Sequence, residues 1–155
     1  VERIVSRKAA PRIGARRRAR ECALQLLYQF DGRPPPGGEA GVSEALTLFW
    51  LHSDPEATQS GEAVAYAEQL VRGVLEHIQD VDRAIHATAQ HWKLERMDRV
   101  DRNILRLATY ELLFVEVPAR IVINEAIEVA KSFGTEESGS FVNGVLDRVA
   151  ENAAR

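Results

Sequence analysis

Apolar residues recur at helical spacing through most of this chain, most densely in VDRNILRLATYELLFVEV, residues 100–117. Val100, Ile104, Leu107, Ala108 and Val115 fall on one face, and Leu105, Leu112, Leu113 and Phe114 cover much of the remainder. A helix apolar on nearly all sides is a central one, wrapped by others. Glu111 stands among these positions, on the side of Ile104 and Leu107. A buried carboxylate must be paired, because an uncompensated buried charge is very costly. The role expected of Glu111 is therefore structural, receiving hydrogen bonds from the start of a neighbouring helix.

The other segments keep the same period. Ala15–Phe30 predicts a first helix with Ala19, Cys22, Ala23, Leu26 and Phe30 as its core stripe. Arg17, Arg20, Leu24 and Tyr28 lie along its opposite and flanking side. Residues 31–41, DGRPPPGGEAG, break that helix and predict a long, mobile loop. A short amphipathic helix follows at 42–51, ended by Ser53-Asp54-Pro55. Ser60 or Gly61 opens a longer one over 62–79, with Ala63, Tyr66, Ala67, Leu70, Val74 and Ile78 inward. Asp80 and Asp82 mark a break before a helix at 81–89, and Asp98 is the expected N-cap of the central helix. Residues 120–132 form the next helix, which Gly134 ends as a left-handed C-cap. Thr135 then caps a last helix with Glu136 and Glu137 in its first turn and Phe141, Val142, Val145, Leu146 and Val149 on its apolar face. No segment reads convincingly as a strand. The predicted fold is all-α with about seven helices, residues 15–152 forming one domain behind a basic, disordered extension at 1–14.

Composition narrows the class without deciding it. At 155 residues, 45% apolar and 28% charged, the chain can bury a core and has ordinary globular proportions. Cys22 is the only cysteine, which excludes an intrachain disulfide and suits a reducing cytoplasm. No apolar run approaches the ~18 residues of a membrane span, and no apolar region follows the basic N-terminus as a signal peptide requires. A cytoplasmic protein without membrane contact is expected.

Charge alters the picture more. The net formal charge is −3, yet the first 20 residues hold seven arginines and one lysine against Glu2, a local +7 that leaves −10 for the rest. A basic arm on an acidic body points to nucleic acid or another acidic surface as partner. Within it, Arg16, Arg17, Arg18 and Arg20 crowd one helical turn, and guanidinium groups bind phosphate bidentately and stack on base faces. His52, His77, His86 and His91 lack metal-ligand spacing, and neither a phosphate loop nor a nucleophile turn is present. Acid pairs such as Glu136/Glu137 and Glu125/Glu128 read as helix starts or solvated faces. The pattern points away from an enzyme, and neither a metal nor a cofactor is expected.

Three segments, RRRARECALQLLYQFD, VDRNILRLATYELLF and VPARIVINEAIEVAKSFGTEESGSFVNGVLDRVA, resemble in content and order the NusB family of bacterial transcription antitermination factors. The resemblance spans 15–150 and implies two small helical bundles packed together, the first built around the arginine-rich helix. It implies binding of single-stranded boxA RNA in ribosomal RNA leaders, jointly with a small-subunit ribosomal protein called NusE in this role. The pair would help the transcription elongation complex read through terminators. Carried onto this chain, the RNA surface uses Arg16, Arg17, Arg18 and Arg20 together with Glu137, Phe141 and Asn143. The partner surface uses Tyr28 and Asp101. Phe141 also fits core packing with Val145 and Val149, Tyr28 fits burial between the bundles, and Gly144 fits a close helix approach as well as RNA contact. The 34–38 loop and the 1–14 extension lie outside the family pattern. Two rival readings stay open: a detached recognition domain serving an rRNA-modifying enzyme, and a protein–protein adaptor whose basic arm only adds charge. Monomer and homodimer are equally open.

Overall fold

The computed structural model describes residues 14–154; of the basic extension, only Gly14 falls among them. The described chain runs α1 (Ala15–Phe30), α2 (Gly38–Leu51), the single turn α3 (Pro55–Thr58), α4 (Gly61–Glu76), α5 (Ile78–Thr88), a 3-10 turn at Leu94–Arg96, α6 (Arg99–Phe114), α7 (Ala119–Phe133) and α8 (Ser138–Ala153). Seven of these are true multi-turn helices, and no strand occurs among the described residues.

Helix α6 is central, as its all-round apolar pattern predicts. It packs against α1, α4, α5, α7 and α8, and every residue from Asn103 to Glu111 is buried. It stops at Phe114, short of residue 117, because Val115 turns extended on the approach to Pro118. Phe114 is accordingly part-exposed, with its ring stacked on His77 at 4.0 Å. Helix α1 is central too, which its stripe does not announce. Residues 19–27 are all buried, Leu24 and Arg20 included, because α1 is wedged between α4 on one side and α6 and α7 on the other. Its start lies beside Glu111 and Glu125, and its end beside the start of α6, so α1 and α6 run antiparallel.

That second junction is built on Asp31. The residue closes α1 in the left-handed region (φ 46°), and its carboxylate accepts hydrogen bonds from Arg102, from Asn103 Nδ2 at 2.9 Å and from Arg106 at 3.1 Å. Arg102 beside it holds the Asp31 carboxyl far below the usual range; burial opposes this, while Asn103 and Arg106 reinforce it. Arg106 also grips Asp82 of α5 at 2.9 and 3.2 Å. Arg99 donates to the last carbonyls of α1, at Tyr28 and Gln29. One cluster thus ties three helices.

Local expectations fare unevenly. Ser60 Oγ accepts from Ala63 N–H at 3.2 Å and Asp98 from Val100 N–H at 2.9 Å, so both caps stand where their residue types place them. The 31–41 loop is shorter than expected: α2 already starts at Gly38, and a Cβ on Gly41 would fall 1.9 Å from the Pro36 carbonyl oxygen. The break expected at Asp80 and Asp82 is at His77, leaving Asp82 inside α5 and turned toward Arg106. Gly134 is extended (φ −99°), not left-handed. Its place is fixed by space instead, since a Cβ there would sit 2.4 Å from Ser138 Oγ. Thr135 does not cap α8, whose N-cap position is Glu137 without a side-chain capping bond. The Thr135 N–H instead donates to Ser138 Oγ at 2.9 Å, and Glu136 and Glu137 lie in the turn before the helix.

Candidate nucleic-acid interface

The first turn of α1 carries its arginines on a gradient of exposure. Arg16 is open to solvent, with its guanidinium carbon 3.8 Å from the centroid of the Tyr66 ring and Glu62 at 3.4 Å. Arg17 donates bidentately to Glu125 of α7, at 3.0 and 2.7 Å. That pairing raises the guanidinium pKa and lowers that of the Glu125 carboxyl. Glu125 is thus not a merely solvated acid. Arg18 is half-buried, 3.9 Å from Glu56 of α3.

Arg20, expected at an RNA surface, is buried beneath the groove it lines. It is 5% exposed and donates two 2.8 Å hydrogen bonds to Glu111, which is itself 1% exposed. Burial works against its charge, but the Glu111 pairing more than offsets this and its pKa rises. Tyr66 completes the cluster, its hydroxyl donating to the second Glu111 oxygen at 2.6 Å. The expectation that Glu111 is buried and paired holds. Its donors are side chains, Arg20 from the opening turns of α1 and Tyr66 from α4.

Around the exposed arginines lies an open groove of about 950 Å³ between α1, α4 and α7. Glu62, Tyr66 and Gln69 line its α4 wall, and Glu125 and Ile121 its α7 wall. Helical spacing places Tyr66 in a core stripe and gives no prominence to the other groove residues. The available signal is the i, i+4, i+7 spacing of Glu62, Tyr66 and Gln69, a polar edge running beside the core stripe of α4.

The remaining site residues stand elsewhere. Asp101 faces Ser138, so the start of α8 lies by the start of α6, while Arg20 reaches the far end of α6 at Glu111 and Arg17 pairs with Glu125 of α7. From Asp101 to Glu111 the axis of α6 covers about 15 Å, so the structure does not gather the arginines and the 137–143 segment into one patch. Glu137 and Asn143 are exposed. Phe141 is half-buried and meets the exposed Trp92 edge-to-face at 5.9 Å. Both rings line a cleft with Gly144, where a Cβ would meet nothing within 4 Å. A close helix approach is therefore not the reason for that glycine. Tyr28 and Asp101 are brought to the same end of α6, where the Arg99 guanidinium lies 4.4 Å from the centroid of the Tyr28 ring. Asp101 is half-buried, and burial pushes its carboxyl up although the Ser138 hydroxyl pulls the other way.

Among the described residues no group of three or more histidine, cysteine or acidic side chains is placed to hold a metal, and no helix is long and apolar enough to cross a membrane. The NusB family model matches residues 17–151. The transcription antitermination protein NusB of Anaeromyxobacter dehalogenans is 52% identical over 135 residues, 87% of this chain and 89% of the relative. The solved structure of T. maritima NusB superposes with a TM-score of 0.73 at 37% identity, with 96% of each chain covered. A crystal structure of antitermination factors NusB and NusE with double-stranded RNA gives 0.70 at 31% identity, covering 89% of this chain and 97% of that one. This chain belongs to the NusB family of transcription antitermination proteins.

Proposed function

We propose that this chain binds single-stranded boxA RNA of ribosomal RNA leaders through Arg16, Arg17 and Arg18, together with a small-subunit ribosomal protein acting as NusE, so that the elongation complex reads through terminators. The observation that carries the reading is the state of these three guanidinium groups. Each stays at or near the surface and is matched to a carboxylate from another helix: Glu62, Glu125 or Glu56. Two oxygens of a tetrahedral phosphate accept the same planar guanidinium fork as a carboxylate does, so phosphate can replace those partners when RNA arrives.

Glu137, Phe141 and Asn143 belong to the same RNA path in this reading. A strand touching both ends runs along α7, from Glu125 toward Ser138. The partner docks at Tyr28 and Asp101, beside the start of α8, and meets the RNA where it leaves α7. Residues 15–152 act as one RNA-binding domain, and the basic extension before it adds phosphate contacts. The chemistry is binding and placement, not bond making.

The test is a titration with boxA RNA, a scrambled strand and a duplex of the same length, with and without the ribosomal partner. Preference for the single boxA strand is expected, strengthened by the partner roughly 5- to 150-fold, with an equal effect of RNA on partner affinity. Log affinity should fall with log salt by about 0.7 for each phosphate neutralised. Equal affinity for all three RNAs, or no effect of the partner, overturns the reading.

A further inference from the structure

We propose that Tyr66 is a positioning residue for RNA binding: its ring is a fixed plate that holds the Arg16 guanidinium flat at the mouth of the groove. This rests on the reading above, in which Arg16 meets phosphate, and adds to it a residue on a different helix. Tyr66 belongs to α4 and is 5% exposed, so nothing in its own accessibility suggests RNA contact. Its importance comes from what it joins. The hydroxyl is anchored at 2.6 Å to Glu111, whose carboxylate is clamped by both Arg20 hydrogen bonds. The buried end of the ring therefore cannot swing. Burial, with Glu111 as acceptor, pushes the phenol up to about 12, so it remains a neutral donor across the working range.

The accessible face of that ring carries Arg16, with the guanidinium carbon 3.8 Å from the centroid. Glu62, one turn earlier on α4, approaches Arg16 Nε at 3.4 Å. Stacking uses the face of the guanidinium and leaves its N–H edges in plane for acceptors, which is how arginine meets phosphate. A free arginine side chain loses rotamer entropy when fixed; on this plate part of the loss is taken during folding, before RNA is present. The buried Arg20–Glu111–Tyr66 cluster thereby acts on the surface without touching RNA. All three arginines have a carboxylate that a phosphate must displace, but Arg17 and Arg18 have no aromatic face beneath them among the described residues. Arg16 offers phosphate the one stacked, pre-oriented fork of the three.

The test measures binding of a short single-stranded boxA RNA by full-length variants over a salt series. Arg16→Ala should weaken binding about fivefold, the worth of one oriented cation on an aromatic face, and lower the salt slope. Arg16→Lys keeps the charge but forms no flat stack, so it should recover less than half of that loss on a logarithmic scale. Tyr66→Phe keeps the plate but frees its anchored end and should lose part of the binding, less than Arg16→Ala, whereas Tyr66→Leu should lose as much as Arg16→Ala. The loss on combining Tyr66→Leu with Arg16→Ala should be no greater than either alone, because both remove one interaction. Circular dichroism checks that Tyr66→Leu folds; if it does not, the comparison of Arg16→Lys with Arg16→Ala decides. Full recovery by Arg16→Lys, or additive losses in the double variant, overturns the plate while leaving the RNA reading intact. No effect of Arg16→Ala overturns both.

Discussion

Two helices of this protein begin with clustered arginines, and composition cannot tell them apart. Helix α1 opens with Arg16, Arg17, Arg18 and Arg20; α6 carries Arg99, Arg102 and Arg106. In α6 all three are committed to the fold. Arg99 caps the last carbonyls of α1, Arg102 holds Asp31, and Arg106 bridges Asp31 and Asp82. In α1 only the fourth is consumed, by Glu111, and the first three lean on acids at the surface. The difference lies in how many groups each guanidinium holds. Arg102 and Arg106 each bond several partners, and Arg20 a fully buried one, whereas Arg16 and Arg18 each face a single exposed acid. A carboxylate in the core takes its arginine out of circulation, because leaving either partner alone there is costly. One on a half-open groove can yield its arginine to another anion.

Exchanging single charges can break that distinction. Arg20→Ala should cost the most, about 3–5 kcal/mol of unfolding free energy, because it strands a buried carboxylate; urea denaturation reads it. A loss near zero would return Arg20 to the surface set. Asp31→Asn comes next, at about 2 kcal/mol for weakened charge-assisted hydrogen bonds. Its carboxyl pKa is lower folded than unfolded, so the stabilisation is present above about pH 4 and lost as pH falls toward the folded value. The stability gap between the native protein and Asp31→Asn should therefore narrow on acidification below about pH 4. A gap independent of pH would contradict the network.

Arg17→Ala combined with Arg18→Ala should cost about 1 kcal/mol or less in stability, since both ion pairs are partly solvated. The same variant should flatten the salt dependence of RNA binding by about 0.7 for each phosphate left without its cation. A stability loss as large as that of Arg20→Ala would erase the contrast between the two clusters. The smallest effect is expected at Glu137. Replacing this exposed acid by asparagine should tighten RNA binding about twofold at low salt and have no effect at high salt, where surface charges are screened. Weaker binding would remove Glu137 from the RNA path.

Features that depend on neighbours along the chain are legible in the sequence. The all-round apolar period of α6 marks it as central, and Ser60 and Asp98 cap their helices through atoms two or three residues away. A paired Glu111 follows from the cost of burying it alone. The identity of its partner does not follow, since Arg20 lies 91 positions earlier and sits on what the stripe of α1 marks as a flank. Gly134 shows the same limit. A glycine after a helix suggests a left-handed cap, but the constraint here is the space taken by Ser138, a tertiary fact. Helical spacing puts Tyr66 in the core, and its burial agrees; that its ring also carries Arg16 depends on the packing of α4 on α1.

The Arg20–Glu111 pair also sets a timetable for synthesis. Chains grow from the N-terminus at about 5–20 residues per second, so Glu111 follows Arg20 by roughly 5–18 s. Asp31 waits for Arg102 across a separation of 71. During that interval α1 can pack on α4 but cannot neutralise its innermost charge, and its C-terminal end lacks the guanidinium groups that hold it. The arginine-rich helix is made first and completed last. Closure of α1 must await the emergence of α6 from the ribosome and then of α7, which brings Glu125 to Arg17.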